Sequence, residues 1–170
     1  MTLETPAYFF DSSAIVKRYH RELGTAWIQS ICEPRSHPPL YLSDLARVEV
    51  IAALRRLGRT NGYHPSFVDT MAHGFERHIS LSDAARLAPL YHLVPITQSV
   101  LALASELCNH YWQTHPHPLR SLDAIQLACA RAIALNLGSQ LVFVTADVRL
   151  AAIAQLEGLS VMNPSVASQT

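Results

Sequence analysis

Five short, mainly apolar runs recur along the chain of 170 residues, with longer segments of helical character between them. Within these runs the apolar residues follow one another without the polar–apolar alternation of a half-exposed strand, which is typical of strands covered on both faces. The runs are residues 7–11, 40–42, 92–96, 141–145 and 159–162. This order predicts an α/β fold with a central, mainly parallel sheet covered by helices.

Capping and turn residues divide the segments between the strands. We expect a helix over residues 12–31 with a break near Gly24, and another that begins after the N-cap Ser43 and stops at Gly58. Further helices are expected over 65–78, 82–87, 97–114, 121–136 and 148–157.

The composition excludes several classes of protein. Hydrophobic residues make up 49% and charged residues 15% of the chain, which is unlike a disordered protein. No apolar run approaches the roughly 18 residues of a membrane span, and the first residues lack the basic segment of a secretory signal. Three widely spaced cysteines form neither a zinc pattern nor a disulfide framework. We expect a cytoplasmic protein with one domain over residues 1–164 and a loose tail over 165–170.

The charges balance, with thirteen basic and thirteen acidic residues. This argues against a protein that coats duplex nucleic acid through bulk charge. Residues 45–68 nevertheless hold four arginines and a single acid, Glu49. The arginines are Arg47, Arg55, Arg56 and Arg59. They form either a solvated helix face or a track for phosphate groups, and the sequence leaves both interpretations open.

Four carboxylates lie in or beside apolar segments. Asp11 and Asp147 follow two of the predicted strands, and Glu49 and Asp123 lie near the starts of predicted helices. Three have local explanations, since Asp11 and Asp147 are suited to N-caps and Asp123 to a first helical turn. Glu49 has no Lys or Arg three or four residues away. A carboxylate among small apolar side chains loses hydration free energy unless a cation or donor meets it.

These carboxylates are expected to share one edge of the sheet. Helices that follow parallel strands begin at the edge where α/β proteins bind ligands, and Asp123 joins that edge if its helix starts there. Close carboxylates repel one another unless a cation balances them, and Mg²⁺ and Mn²⁺ prefer oxygen ligands. One or two such ions suit the hydrolysis of a phosphodiester bond by a metal-activated water.

The segments around the carboxylates resemble the PIN-domain family, in particular the VapC-type toxin ribonucleases of type II toxin–antitoxin systems. The resemblance rests on residues 9–16, 42–54, 120–128 and 142–150, with 158–164 similar to the family's last strand. These segments occur in the family's order and span nearly the whole chain.

The resemblance implies a PIN-like three-layer fold with about five strands and an Mg²⁺- or Mn²⁺-dependent endoribonuclease. It implies that the four acids are catalytic metal ligands and that Ser12 supports them. Thr145 is a second supporting candidate, and Arg47 and Arg120 are candidates for contacts to RNA phosphate. The resemblance also implies an RNA substrate, a homodimer and a small antitoxin partner, without a membrane.

Two features depart from the family pattern. Gln126 stands where many relatives have His, and residues 109–118, which include Trp112, form a longer connection than usual before the third acid. We expect the latter to be a loop and Trp112 to be a candidate for stacking on RNA bases.

Other functions fit the sequence less well. A phosphotransfer domain requires a Lys late in the sheet, and the only Lys is Lys17. A dehalogenase-type phosphatase requires a second Asp at the position of Ser13. A non-catalytic PIN-like module that binds RNA or protein remains an alternative, although such a module has no need of four acids.

Overall fold

Five strands form the centre of the molecule. The computed structural model describes residues 6–32, 38–80, 89–137 and 140–167. Its strands are β1 (Ala7–Phe10), β2 (Leu40–Ser43), β3 (His92–Val94), β4 (Leu141–Val144) and β5 (Ser160–Met162). They form one sheet in the order β3-β2-β1-β4-β5, and every neighbouring pair is parallel. This confirms the α/β fold predicted from the uniformly apolar runs.

Helices connect the strands. They are α1 (Ser12–Ile15), α2 (Thr25–Cys32), α3 (Ala46–Asn61), α4 (Pro65–Ile79), α5 (Gln98–Thr114), α6 (Ser121–Leu137), α7 (Val148–Leu156) and α8 (Pro164–Ala167). A 3₁₀ turn over Val16–Arg18 continues α1. The break predicted near Gly24 is present, because α2 begins directly after this residue.

Hydrophobic cores lie on both faces of the sheet. Successive residues of β1 point to opposite faces, as the pleat of a strand requires. Phe9 stacks on Phe143, with ring centroids 5.9 Å apart, in the core formed with α5, α6 and α7. Phe10 belongs to the other core, which includes Val50 and Leu54 of α3. Burial on both faces explains why these runs contain no polar alternation.

Helix α3 differs from its predicted bounds at both ends. Ser43 is the last residue of β2 and not an N-cap, and Leu45 at the N-cap position makes no side-chain capping bond. Gly58 lies inside the helix, where a Cβ atom would collide with the side chain of Val68. It therefore permits the close approach of α3 and α4. The helix ends at Gly62, whose φ of +66° is the left-handed conformation common at helix ends.

The segment after β5 is also more ordered than predicted. Ser165–Ala167, expected as the start of a loose tail, belong to α8. The buried Pro164 lies against Gly24, where an added Cβ atom would come within 3.0 Å of the proline backbone. The rest of the predicted tail and the helix predicted over 82–87 lie outside the described residues.

Residues 109–114 are helical, which agrees with the helix predicted over 97–114 and shows that the prediction of a loop over 109–118 was wrong for its first part. They continue α5, whose apolar positions pack against α6 and extend to the buried Tyr111. No disulfide joins the three cysteines, all of which lie in the described ranges; Cys32 and Cys129 are buried, and Cys108 is partly exposed. No helix in the described part of the chain has the length and hydrophobicity needed to cross a bilayer.

Candidate active site

The four carboxylates singled out in the sequence line one cavity of about 390 Å³ at the carboxyl edge of the sheet. Asp11 follows β1 and Asp147 follows β4, and these two strands pair along their length, from Ala7 opposite Leu141 to Phe10 opposite Val144. Glu49 and Asp123 lie in the first turns of α3 and α6. The fold thus brings together residues from four separate segments of the chain.

Asp11 is the most buried of the four, with 4% of its surface exposed. Its carboxylate accepts hydrogen bonds from the backbone N–H of Ala14 (2.8 Å), from Ser13 Oγ (2.8 Å) and from Thr145 Oγ1 (2.9 Å). Burial raises the pKa of Asp11 to about 7, although these three hydrogen bonds lower it. A cation beside this group would replace the lost hydration of its charged form.

Glu49 is held by neutral donors. Ser12 Oγ donates to Glu49 Oε2 at 2.7 Å, and Gln126 Nε2 donates to the same oxygen at 2.6 Å. Gln126 Nε2 also lies 3.0 Å from Ser12 Oγ, and its Oε1 accepts a 2.8 Å hydrogen bond from Ser43 Oγ. Because a carboxylate oxygen accepts whereas Ser43 Oγ can donate or accept, the contact with Glu49 places the NH₂ group of Gln126 on this side and leaves Oε1 to accept from Ser43.

Asp123 and Asp147 share a cationic partner. Arg120 Nε lies 3.1 Å from Asp123 Oδ2, and Arg120 Nη2 lies 2.9 Å from Asp147 Oδ2. Burial raises the pKa of Asp123, Arg120 opposes this, and the charges of Asp147 and Glu49 add to it. The Arg120 side chain is 69% exposed, so its displacement from the two carboxylates requires no repacking of the core.

The local explanations for Asp11 and Asp147 are also correct. Asp11 caps α1 by accepting from the N–H of Ala14, and Asp147 caps α7 by accepting from the N–H groups of Arg149 and Leu150. In both residues the capping oxygen is Oδ1. Oδ2 of each residue contacts a different partner. The same carboxylate can therefore cap a helix and line the site.

The donor set matches a hard divalent cation, since all four side chains offer carboxylate oxygens and no thiolate or imidazole lies among the cavity-lining residues described. The arrangement is not preformed: within the described ranges, no three His, Cys, Asp or Glu side chains are grouped so that they could hold a metal ion as they stand. Three donors hold Asp11, and Arg120 occupies Asp123 and Asp147. A cation that binds the oxygens of Asp123 and Asp147 held by Arg120 therefore has to displace this arginine.

Some predicted site residues lie elsewhere. Arg47 does not line the cavity; its Nε lies 3.6 Å from Asp44 Oδ1 on the exposed surface of α3. Trp112 is 73% exposed near the end of α5 and does not line this cavity. Its proposed stacking on RNA stays a prediction.

Three hydrogen-bonding residues of the site were missed as supporting groups. Ser13 is two residues after Asp11, a spacing that allows a side-chain contact with the carboxylate. Gln126 is three residues after Asp123 on α6 and therefore lies on the same helix face. Ser43 gave no sequence signal, because its role depends on contact with Gln126, 83 residues away.

Comparison with known proteins identifies the family. A profile of the PIN domain matches residues 8–156. No curated protein matches the chain in sequence.

Solved structures share the fold at low sequence identity. FitAB bound to an IR36 DNA fragment superposes with a TM-score of 0.62 at 18% identity, covering 93% of this chain and 95% of that one. VapBC2 from Rickettsia felis, bound to a fragment of promoter DNA, gives 0.58 at 13% identity, with 92% and 98% covered. VapC20 from Mycobacterium tuberculosis, a toxin that cleaves the Sarcin-Ricin loop, gives 0.53 at 17% identity, with 85% and 93% covered. The match over residues 8–156, with the five-stranded parallel sheet, shows that the chain belongs to the PIN-domain family.

Proposed function

We propose that this protein is an Mg²⁺- or Mn²⁺-dependent endoribonuclease. The observation that carries the proposal is the convergence of Asp11, Glu49, Asp123 and Asp147 on one cavity at the carboxyl edge of the sheet. Four carboxylates in one cavity repel one another, and Arg120 is paired with only two of them, so a bound divalent cation would offset the remaining cost. Membership of the PIN-domain family supports a nuclease.

The proposed division of labour follows from the contacts. The four carboxylates hold the metal, and Ser12 and Thr145 keep Glu49 and Asp11 in place. When bound, the metal supplies an activated water and a positive charge against the phosphodiester. Arg120, once released from Asp123 and Asp147, remains beside the cavity and is suited to contact a phosphate through its forked donors.

We further propose that the protein is the toxin of a toxin–antitoxin pair and acts in the cytoplasm as a homodimer. The support for a toxin is the similarity of its fold to VapBC2, to FitAB and to VapC20, which is described as a toxin. A small antitoxin that brings a basic side chain to the acidic cavity would take the place that Arg120 occupies here.

Cleavage of RNA by the purified protein tests the nuclease directly. We expect endonucleolytic products with Mg²⁺ or Mn²⁺ and none with a chelator, and Asp123→Asn should reduce the rate at least about a hundredfold because a metal ligand is lost. Asp69→Asn is the matched control, since Asp69 pairs with Arg55 on the exposed faces of α3 and α4. Metal-independent cleavage, or equal rates for both variants, would contradict the proposal.

Growth of a bacterial host tests the toxin role separately. Expression of the wild-type protein should slow growth, and expression of Asp123→Asn should not, because the variant retains the fold but loses the proposed activity. Equal growth of the two strains at equal protein levels would argue for the alternative of a non-catalytic PIN-like binding module.

A further inference from the structure

The cavity has a second, basic end. Beyond the four acids, it is lined by Lys17 and Arg56, with Glu22 beside them. Lys17, the only lysine of the chain, has a side chain that is 8% exposed, and its Nζ lies 2.9 Å from Glu22 Oε2. The cavity thus combines a strongly acidic part with a part that has one more positive than negative charge.

Arg56 occupies a distinctive position among the arginines of α3. Four residues of this helix line the cavity, namely Glu49, Ala53, Arg56 and Leu57. Arg56 is seven residues after Glu49, which is about 10 Å along the helix axis at 1.5 Å per residue. Both side chains therefore point to the same groove, with the guanidinium two turns away from the acid.

Two other arginines of α3 do not line the cavity and are already paired. Arg47 lies against Asp44, and Arg55 forms an ion pair with Asp69 of α4. Within the described ranges, Arg56 forms no ion pair with a carboxylate, although Glu49 and Glu22 line the same cavity. Arg59, the fourth arginine of α3, also forms no ion pair with a carboxylate in the described ranges, but it does not line the cavity. Arg56 is therefore the unpaired arginine of this helix that faces the cavity.

We propose that Lys17 and Arg56 form a subsite for a backbone phosphate of single-stranded RNA, next to the phosphate that is cleaved. This inference rests on the proposed ribonuclease function. A polyanion approaching four carboxylates gains from a fixed cation nearby, and the guanidinium fork matches phosphate oxygens. Glu22 holds the Lys17 ammonium in place and partly balances its charge, so Lys17 adds a fixed donor while Arg56 supplies the uncompensated positive charge.

Salt dependence of RNA binding tests the subsite without relying on catalysis. The assay measures fluorescence anisotropy of a labelled single-stranded RNA oligonucleotide, with the Asp11→Asn substitution as background to prevent cleavage, in the presence of Mn²⁺ and of chelator. On single strands each phosphate contact contributes about 0.7 to the slope of log affinity against log salt concentration. Arg56→Gln should lower the slope by about 0.7 and weaken binding about tenfold. Arg55→Gln, which removes the same charge from the paired arginine one residue away, should leave the slope unchanged.

A second variant distinguishes a subsite from a structural ion pair. Glu22→Gln removes the carboxylate beside Lys17 and should tighten RNA binding severalfold. If the Lys17–Glu22 pair only stabilises the fold, Glu22→Gln lowers the melting temperature and leaves RNA affinity unchanged, and this result would overturn the role of Lys17.

Kinetics of the otherwise wild-type protein separate this proposal from the nuclease itself. Arg56→Gln should raise KM about tenfold and leave kcat within twofold, as expected for loss of uniform substrate binding.

If the wild-type protein cleaves RNA but Arg56→Gln and Arg55→Gln give equal salt slopes and KM values, the subsite is wrong and the ribonuclease stands. If the wild-type protein does not cleave RNA, the ribonuclease is wrong. If the protein binds an acidic peptide but not RNA, and Arg56→Gln lowers the salt slope of peptide binding, this end of the cavity binds a protein partner and the RNA subsite is rejected.

Discussion

The two halves of the acidic site are stabilised in different ways. Asp11 and Glu49 are held by neutral donors, which are hydroxyls, a backbone N–H and the amide of Gln126. Asp123 and Asp147 are held by one cation, Arg120, whose side chain is 69% exposed. The positions of Asp11 and Glu49 are therefore fixed by the fold, whereas Asp123 and Asp147 are paired with a side chain that is accessible to solvent. We therefore expect a metal ion to find Asp11 and Glu49 already held in place by the fold and to displace Arg120 from Asp123 and Asp147.

The largest predicted effect is on the pH dependence of stability, and it comes from Asp11 in the half of the site that is held by neutral donors. Burial raises the pKa of Asp11 to about 7 from an ordinary value of 3.8. Between these values the unfolded chain has released the proton and the folded protein still holds it, so stability is fully present below the lower pKa and is lost as pH rises through the upper one. The unfolding free energy of the metal-free wild type should therefore fall, relative to Asp11→Asn, by roughly 1.4 kcal/mol per pH unit between about pH 4 and pH 7.

Chemical denaturation of both proteins in chelator, from pH 4 to pH 8, measures this difference. Saturating Mn²⁺ should remove much of the fall for the wild type, because an ion that binds only the folded state stabilises it. A constant difference between the two proteins across this range would show that Asp11 titrates normally and is not the buried anchor of the site.

The next effect concerns the amide that holds Glu49. Gln126→Ala removes the 2.6 Å hydrogen bond to Glu49 Oε2 and leaves Ser43 Oγ, which is fully buried, without its acceptor. Loss of a group that orients a metal ligand costs about 10–100-fold in affinity or activity. We expect a reduction of this size in Mn²⁺ affinity, measured by calorimetric titration.

Gln155→Ala, on the exposed side of α7, is the matched control for Gln126→Ala and should bind Mn²⁺ like the wild type. Partial recovery of Mn²⁺ affinity in Gln126→His, which offers an N–H donor of different reach, would support orientation of Glu49 as the cause. Unchanged affinity in Gln126→Ala would mean that Glu49 needs no such support.

The smallest predicted effect concerns Arg120 in the exposed half of the site, where a substitution should raise Mn²⁺ affinity instead of lowering it. Arg120→Gln removes the cation that competes for Asp123 and Asp147, so Mn²⁺ affinity should rise. Because exposed ion pairs contribute less than about 1 kcal/mol, the gain should be no more than about fivefold. Arg149→Gln removes an exposed charge two residues after Asp147 that pairs with no carboxylate in the described part of the chain. It should leave Mn²⁺ affinity nearly unchanged. Weaker Mn²⁺ binding in Arg120→Gln than in Arg149→Gln would contradict competition between Arg120 and the metal.

The sequence predicted the sheet because burial on both faces leaves a clear signature, the uninterrupted apolar run. It also predicted which carboxylates share an edge, since Asp11 and Asp147 directly follow strands. What it missed depends on contacts between distant segments. Gly58 was taken as a helix end because glycine is common just after the last helical residue, yet the approach of Val68 requires a glycine inside the helix.

The arginines of α3 show the same limit. Arg47 was the predicted phosphate contact, and Arg56 is the one that reaches the cavity. Which face of α3 lines the cavity depends on how this helix packs against α1, the 3₁₀ turn after it and α4. Local periodicity does not determine this packing. Ser43 and Gln126 show the same limit of local sequence patterns, because these residues are 83 positions apart and form a hydrogen bond only in the folded protein.

Calorimetric titration of Mn²⁺ into the wild-type protein and four amide variants tests the central claim most directly. The variants are Asp11→Asn, Glu49→Gln, Asp123→Asn and Asp147→Asn. If the four carboxylates form one cation site, the wild type binds Mn²⁺ and each variant binds it about tenfold or more weakly, whereas Asp69→Asn binds like the wild type. A wild type that takes up no Mn²⁺, or four variants that bind it as the wild type does, would contradict the account.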